Sequence, residues 1–212
     1  MAKRIALFGG SFNPPGQHHR LIAERLAEMF DEVRVIPCGP RPDKSATNQI
    51  PPVYRAALTD ITFAAMPGVV VDLFDLELES FTRNHQLDVR FAPQGEVWHV
   101  VGADLVEHGA SGESLIHRTC EKGPELWQTA RFAVLSRPGH PLTAEDLPPH
   151  HQLIEIDIPG SSTEIRERLG RGQSIQTLAT HRAHTYLERY GLYRAPIPSS
   201  WSRSSPAELP FH

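Results

Sequence analysis

Lys3-Arg4-Ile5-Ala6-Leu7-Phe8 runs into Gly9-Gly10-Ser11-Phe12-Asn13-Pro14-Pro15-Gly16-Gln17-His18-His19. The apolar run is short and stops at a glycine pair, the pattern of a buried strand. Leu21, Ile22, Arg25, Leu26 and Met29 then recur at helical spacing. The apolar members of that stripe, Leu21, Ile22, Leu26 and Met29, are expected in the core. Strand, loop and helix within about thirty residues predict the opening of a parallel α/β unit. Glycines let a backbone approach a phosphate closely, and the free N–H groups at a helix start favour anions. His18 and His19 stand where they can donate to such a phosphate.

Outward from this stretch the pattern repeats. Glu32-Val33-Arg34-Val35-Ile36-Pro37 predicts a second strand, and a long polar loop from Cys38 to Pro52 follows it. A helix is expected from Val53 to Ala65, stopped by Pro67-Gly68, then a short strand Val69-Val70-Val71. Glu77 to Thr82 reads as a connection, Arg83 to Phe91 as a helix and Glu96 to Val101 as a strand. The polar stretch Glu107 to Gly123 reads as a loop with one short helical piece. Arg131 to Leu135 and Leu153 to Ile158 complete the strands. Gly160-Ser161-Ser162-Thr163 opens a helix with Ser161 or Ser162 as its N-cap, and His181 to Tyr190 forms the last helix. Strands alternating with helices predict an α/β open parallel sheet with helices on both faces. Ligands of such sheets bind beyond the carboxyl ends of the strands. The loops carrying His18 and His19, Lys44, Asp104 and Arg137 would then share one rim.

The composition narrows the function. At 212 residues the chain suits one α/β domain, read here as residues 1–194, with a Pro/Ser-rich tail at 195–212 that is disordered or draped on the surface. A net charge of −4 argues against general nucleic-acid binding. The sequence contains no apolar run of about twenty residues and no secretory signal, so no membrane span is expected. Two cysteines, Cys38 and Cys120, fit a reducing cytoplasm. The twelve histidines are scattered, without the spacing of a structural metal site.

The glycine-rich loop resembles the Gly-Gly-Ser/Thr-Phe-Asp/Asn-Pro signature of nucleotidyltransferases, in particular the nicotinate/nicotinamide mononucleotide adenylyltransferases. That family continues His-x-Gly-His; this chain reads Gly16-Gln17-His18-His19. Further segments are similar to the family in order: Pro42-Asp43-Lys44, Arg55, Ser80-Phe81-Thr82, Val101-Gly102-Ala103-Asp104, Phe132 to Gly139, Ser161-Ser162-Thr163-Glu164-Ile165-Arg166 and Gly191-Leu192-Tyr193. The tryptophan that the family places ahead of the Phe132 strand is Cys120 by ungapped count, with Trp127 nearby.

The resemblance implies a Rossmann-like nucleotidyltransferase fold with a small C-terminal helical part. It implies transfer of the adenylyl group of ATP, with Mg²⁺, to nicotinate or nicotinamide mononucleotide, giving the dinucleotide and pyrophosphate. It assigns His19, His18, Lys44 and Arg166 to catalysis. Gly9, Gly10, Ser11, Phe12, Gly102, Asp104, Arg137, Ser161, Ser162 and Thr163 are expected at the nucleotide. Arg55, Phe81, Thr82 and Trp127 are expected at the second substrate. Two other readings stay open: another phosphorylated acceptor on the same fold, and a nucleotide-binding protein without catalysis. A homo-oligomer is left open as well.

Overall fold

The computed structural model describes residues 2–40, 50–136 and 142–194. Lys44, Arg137 and the tail from Ala195 lie outside them. Six strands form one sheet: β1 (Arg4–Gly10), β2 (Glu32–Pro37), β3 (Val69–Val71), β4 (Glu96–Gly102), β5 (Arg131–Ser136) and β6 (His151–Glu155). Their order is β3-β2-β1-β4-β5-β6, and every pair is parallel. The order reverses between β1 and β4, which creates a crevice at their carboxyl ends.

The alternation in β1 explains why both faces of the sheet are covered. Ala6 and Phe8 pack with Ile22, Ala23 and Leu26 of α1 (Gln17–Ala27) and with Phe63 of α2 (Pro52–Phe63). Ile5 and Leu7 point the other way, onto Leu87 and Phe91 of α4 (Asn84–Phe91) and Phe74 of α3 (Phe74–Glu77). On that second face Phe132 and Val134 of β5 meet Ile116 of α5 (Leu115–Thr119) and Leu126 of α6 (Gly123–Thr129). A separate helical core joins Leu58 of α2 to Ile165 and Leu169 of α7 (Ser162–Gly170) and Ala183 and Leu187 of α8 (His181–Arg189). This is the expected C-terminal helical part, and it anchors α7 beside the sheet. No described helix is long and apolar enough to cross a membrane.

Several expectations shift. Leu21 is 38% exposed, because the buried face of α1 is carried by Ile22, Ala23 and Leu26. Met29 lies past the end of α1 and only packs against the core edge. The last strand runs from His151, not Leu153, and stops at Glu155. Its extent follows its partner: β5 pairs Phe132 with His151 and Ser136 with Glu155. The 107–123 stretch holds one α-helix, α5, beside a single turn at Gly109–Ser111, as expected; α6 follows it in residues that the sequence reading left unassigned.

Candidate active site

Leu7 pairs with His99, so β1 and β4 carry Gly9-Gly10 and Val101-Gly102 to the same rim. No described atom lies within 4 Å of the point where a Gly9 Cβ would be. The backbone is therefore bare toward the crevice, as close approach by a phosphate requires. Across the crevice, Asp104 is exposed and its carboxylate folds back over Gly102, where a Cβ would collide with it.

His19 stands in the first turn of α1. Its Nδ1 accepts the backbone N–H of Gly16 at 3.1 Å. An accepting Nδ1 puts the ring proton on Nε2. His19 thus presents a neutral ring with one N–H donor. The ring is braced edge-on by Phe12, at 5.0 Å between centroids. Phe12 itself is buried and packs edge-on against Phe8 and Phe63. Its side chain therefore belongs to the core, and only its backbone borders the crevice.

The start of α7 is tied directly to the glycine-rich loop. Ser161 is the N-cap and accepts the Glu164 N–H. The Ser162 hydroxyl donates to the Pro14 carbonyl at 2.8 Å. Arg166 donates to the Asn13 carbonyl at 2.7 Å and to the Thr163 hydroxyl at 3.1 Å. Asn13 also accepts, through Oδ1, the phenol of Tyr193. Burial pushes the Tyr193 phenol above its ordinary range, with the Arg166 and Arg55 charges pulling the other way. It stays a neutral donor. Two helix starts, each favourable to anions, are thereby fixed at one rim. Tyr193→Phe is expected to cost about 1 kcal/mol, the scale of one buried hydrogen bond, as a fall in the urea midpoint.

Arg55 does not face the crevice. It is fully buried and donates from one nitrogen to the carbonyls of Ser11 and Cys38, each at 2.8 Å. It clamps the loops after β1 and β2 together, and its expected place at the second substrate is corrected. Trp127 is corrected likewise. It is 5% exposed, with His117 across one face at 4.4 Å and the Gly109 backbone against its edge. A ring held there offers no face for stacking.

Phe81 and Thr82 do reach the rim, through a residue that sequence reading missed. Asp75 is 2% exposed. Its carboxylate accepts the Thr82 N–H at 3.1 Å, the Thr82 hydroxyl at 2.6 Å and the Ser80 hydroxyl at 3.3 Å. A Cβ on Gly39, just past β2, would lie 1.9 Å from the Ser80 carbonyl oxygen, so the segment packs directly onto that backbone. Phe81 is half-buried and carries Arg83 over its ring at 5.3 Å. The acidic pattern Asp72 to Glu77 gave no sign that one carboxylate organises this segment; the hydroxyls at 80 and 82 were its only trace.

The described residues contain no cluster of three metal-ligating side chains. Asp104 is an exposed carboxylate just past β4.

Residues 7–168 match the family described as cytidylyltransferase-like. A probable nicotinate-nucleotide adenylyltransferase of Thermus thermophilus is 32% identical, over 90% of this chain and 100% of its own. One of Clavibacter sepedonicus is 30% identical, over 92% of this chain and 96% of its own. Among solved structures, Plasmodium falciparum nicotinic acid mononucleotide adenylyltransferase complexed with NaAD superposes with a TM-score of 0.71. It is 22% identical and covers 90% of this chain and 97% of its own, a likeness of fold.

Proposed function

We propose, starting from the fact that this chain belongs to the cytidylyltransferase-like family and within it to the nicotinate-nucleotide adenylyltransferases, a reaction carried by one rim of the sheet. The chain transfers the adenylyl group of ATP to nicotinate mononucleotide in NAD biosynthesis. A phosphate oxygen of the mononucleotide attacks the α-phosphorus of ATP. The bond from that phosphorus to the β-phosphate oxygen breaks, and pyrophosphate leaves. No covalent bond to the protein is needed. The work is to hold two polyanions in line and to stabilise charge in the transition state.

The observation that carries this reading is the tie between α7 and the glycine-rich loop through Ser162, Arg166 and Asn13. It sets the starts of α1 and α7 side by side. In this reading His19 Nε2–H donates to the α- or β-phosphate, and Gly9 and Gly10 let the nucleotide lie against backbone. The α7 start and Arg166 face the β- and γ-phosphates. Magnesium enters as part of the MgATP substrate, and Asp104 holds one of its waters or the ribose. Ser80-Phe81-Thr82 receives the pyridine ring. Lys44 and Arg137, outside the described residues, are assigned to the phosphates on the resemblance alone.

The test is pyrophosphate release from MgATP with nicotinate mononucleotide, nicotinamide mononucleotide or another phosphorylated acceptor in separate reactions. Release that requires nicotinate mononucleotide supports the reading. Release only with a non-pyridine acceptor moves the chain to another substrate. ATP binding without turnover on any acceptor makes it a binder.

The Asp75 assembly gives a sharper check. Asp75→Ala is expected to raise KM for the mononucleotide about tenfold, the scale of a lost charge-assisted hydrogen bond, by freeing the Ser80–Thr82 segment. KM for ATP should change by less than about threefold, since ground-state binding of the other substrate is untouched. Initial rates against each substrate at saturating partner measure both. Equal rises in the two constants would contradict a role confined to the pyridine side.

A further inference from the structure

His18 is the second residue of α1 and only 5% exposed. A histidine ring buried this deeply at a helix start is unusual. Its surroundings show what it occupies. A Cβ built on Gly16 would lie 2.8 Å from both Nδ1 and Cε1 of His18, and 2.7 Å from Cδ1 of Ile165. Residue 16 therefore cannot carry a side chain while His18 holds this rotamer. The same ring borders Gly160, with Nδ1 3.4 Å from where that Cβ would be. Gly160 has φ +112°, a conformation that only glycine adopts readily. On its remaining side the ring lies against His19, with centroids 3.9 Å apart and planes at 40°.

One imidazole thus borders three parts of the site. These are the N-cap of α1, the His19 ring and the turn that leads into α7. Along the chain, glycine and histidine have exchanged places at 16 and 18 relative to the motif that the loop resembles. In space the His18 ring folds back over Gly16.

We propose that His18 is a positioning residue of the phosphate site. Its imidazole supplies, from position 18, the ring that position 16 lacks, and it fixes both the His19 ring and the Gly160-Ser161 turn that delivers the start of α7. The rates in the test rest on the adenylyltransferase reading; the geometry does not. Gly16 and His18 then form a coupled pair. Neither can change alone without loss, whereas both can change together.

The experiment compares wild type with His18→Phe, His18→Leu, His18→Gln, Gly16→His and the double variant Gly16→His/His18→Gly. Turnover with nicotinate mononucleotide, MgATP affinity by equilibrium dialysis and the thermal midpoint are measured for each. His18→Phe fills the space without a polar atom, and His18→Leu does so if the aromatic variant does not fold. Either is expected to lower kcat by about tenfold or more, the scale of a small misplacement of reacting groups, and MgATP affinity by about threefold. His18→Gln keeps polarity and should recover at least a third of the lost turnover. Gly16→His alone should lose more than about a hundredfold, because its Cβ meets the His18 ring, and removing that ring in the double variant should restore at least about tenfold of it.

Wild-type turnover in both His18→Phe and His18→Leu would overturn the proposal and make His18 a space filler. A double variant no better than Gly16→His alone would do the same. If wild type turns over no acceptor, the adenylyltransferase reading fails, and MgATP affinity decides His18 separately. A loss with His18→Phe or His18→Leu that His18→Gln recovers supports the positioning role, and unchanged affinity overturns it.

Discussion

Replacing His19 by alanine is expected to cut pyrophosphate release about a hundredfold or more while leaving the thermal midpoint within a few degrees. The size follows from the loss of one preorganised donor to a developing oxyanion, worth about 3 kcal/mol in the barrier. The preorganisation is visible. The Gly16 N–H fixes the ring through Nδ1, and Phe12 holds its plane. A ring so held reorients little when charge develops on the phosphate. His19→Asn separates donation from packing. Its amide can donate, so it should recover about tenfold of the loss. kcat should fall more than KM for ATP rises, because the donor matters most in the transition state. A His19→Ala enzyme within about threefold of wild type would remove His19 from the chemistry.

Arg55→Ala is expected to be the most destabilising single change at the rim, by about 4 kcal/mol in urea unfolding. Two carbonyls, of Ser11 and Cys38, lose a charged donor at 2.8 Å, and a fully buried side chain leaves a cavity. Arg55→Met separates these contributions. It restores most of the volume but no donor, so it should still lose about 2–3 kcal/mol. Turnover measured well below the new midpoint should fall as well, because the clamp sets the spacing of the loops after β1 and β2. A cost below about 1 kcal/mol for Arg55→Ala would mean that the two loops are held by other contacts.

The sheet was legible because a short continuous apolar run reports a strand covered on both faces, as Ile5-Ala6-Leu7-Phe8 does for β1. The end of β6 was not, since it is set by the length of β5 and not by its own residues. The glycine-rich loop and the Ser161–Arg166 segment were legible as motifs, and the structure brings them together through Ser162 and Arg166. Which polar residues serve the scaffold was hidden. Arg55 and Trp127 read as ligands of the second substrate, but a long side chain points where tertiary neighbours leave room. Asp75 had no local signal, because its partners Ser80 and Thr82 follow a turn. His18 read equally well as solvent-facing or functional, and only the space over Gly16 separates the two.

The Tyr193 phenol reaches Asn13, 180 residues earlier in the chain, and Arg166 reaches the same residue. This has a consequence for biosynthesis. All six strands end by Glu155, so a chain still being translated can build its sheet before α7 and Tyr193 have emerged from the ribosome. The glycine-rich loop, which opens the sheet, must wait for residues made after the sheet before these hydrogen bonds can form. A nascent chain that has not yet delivered α7 and Tyr193 therefore carries the sheet without the ties that hold the glycine-rich loop.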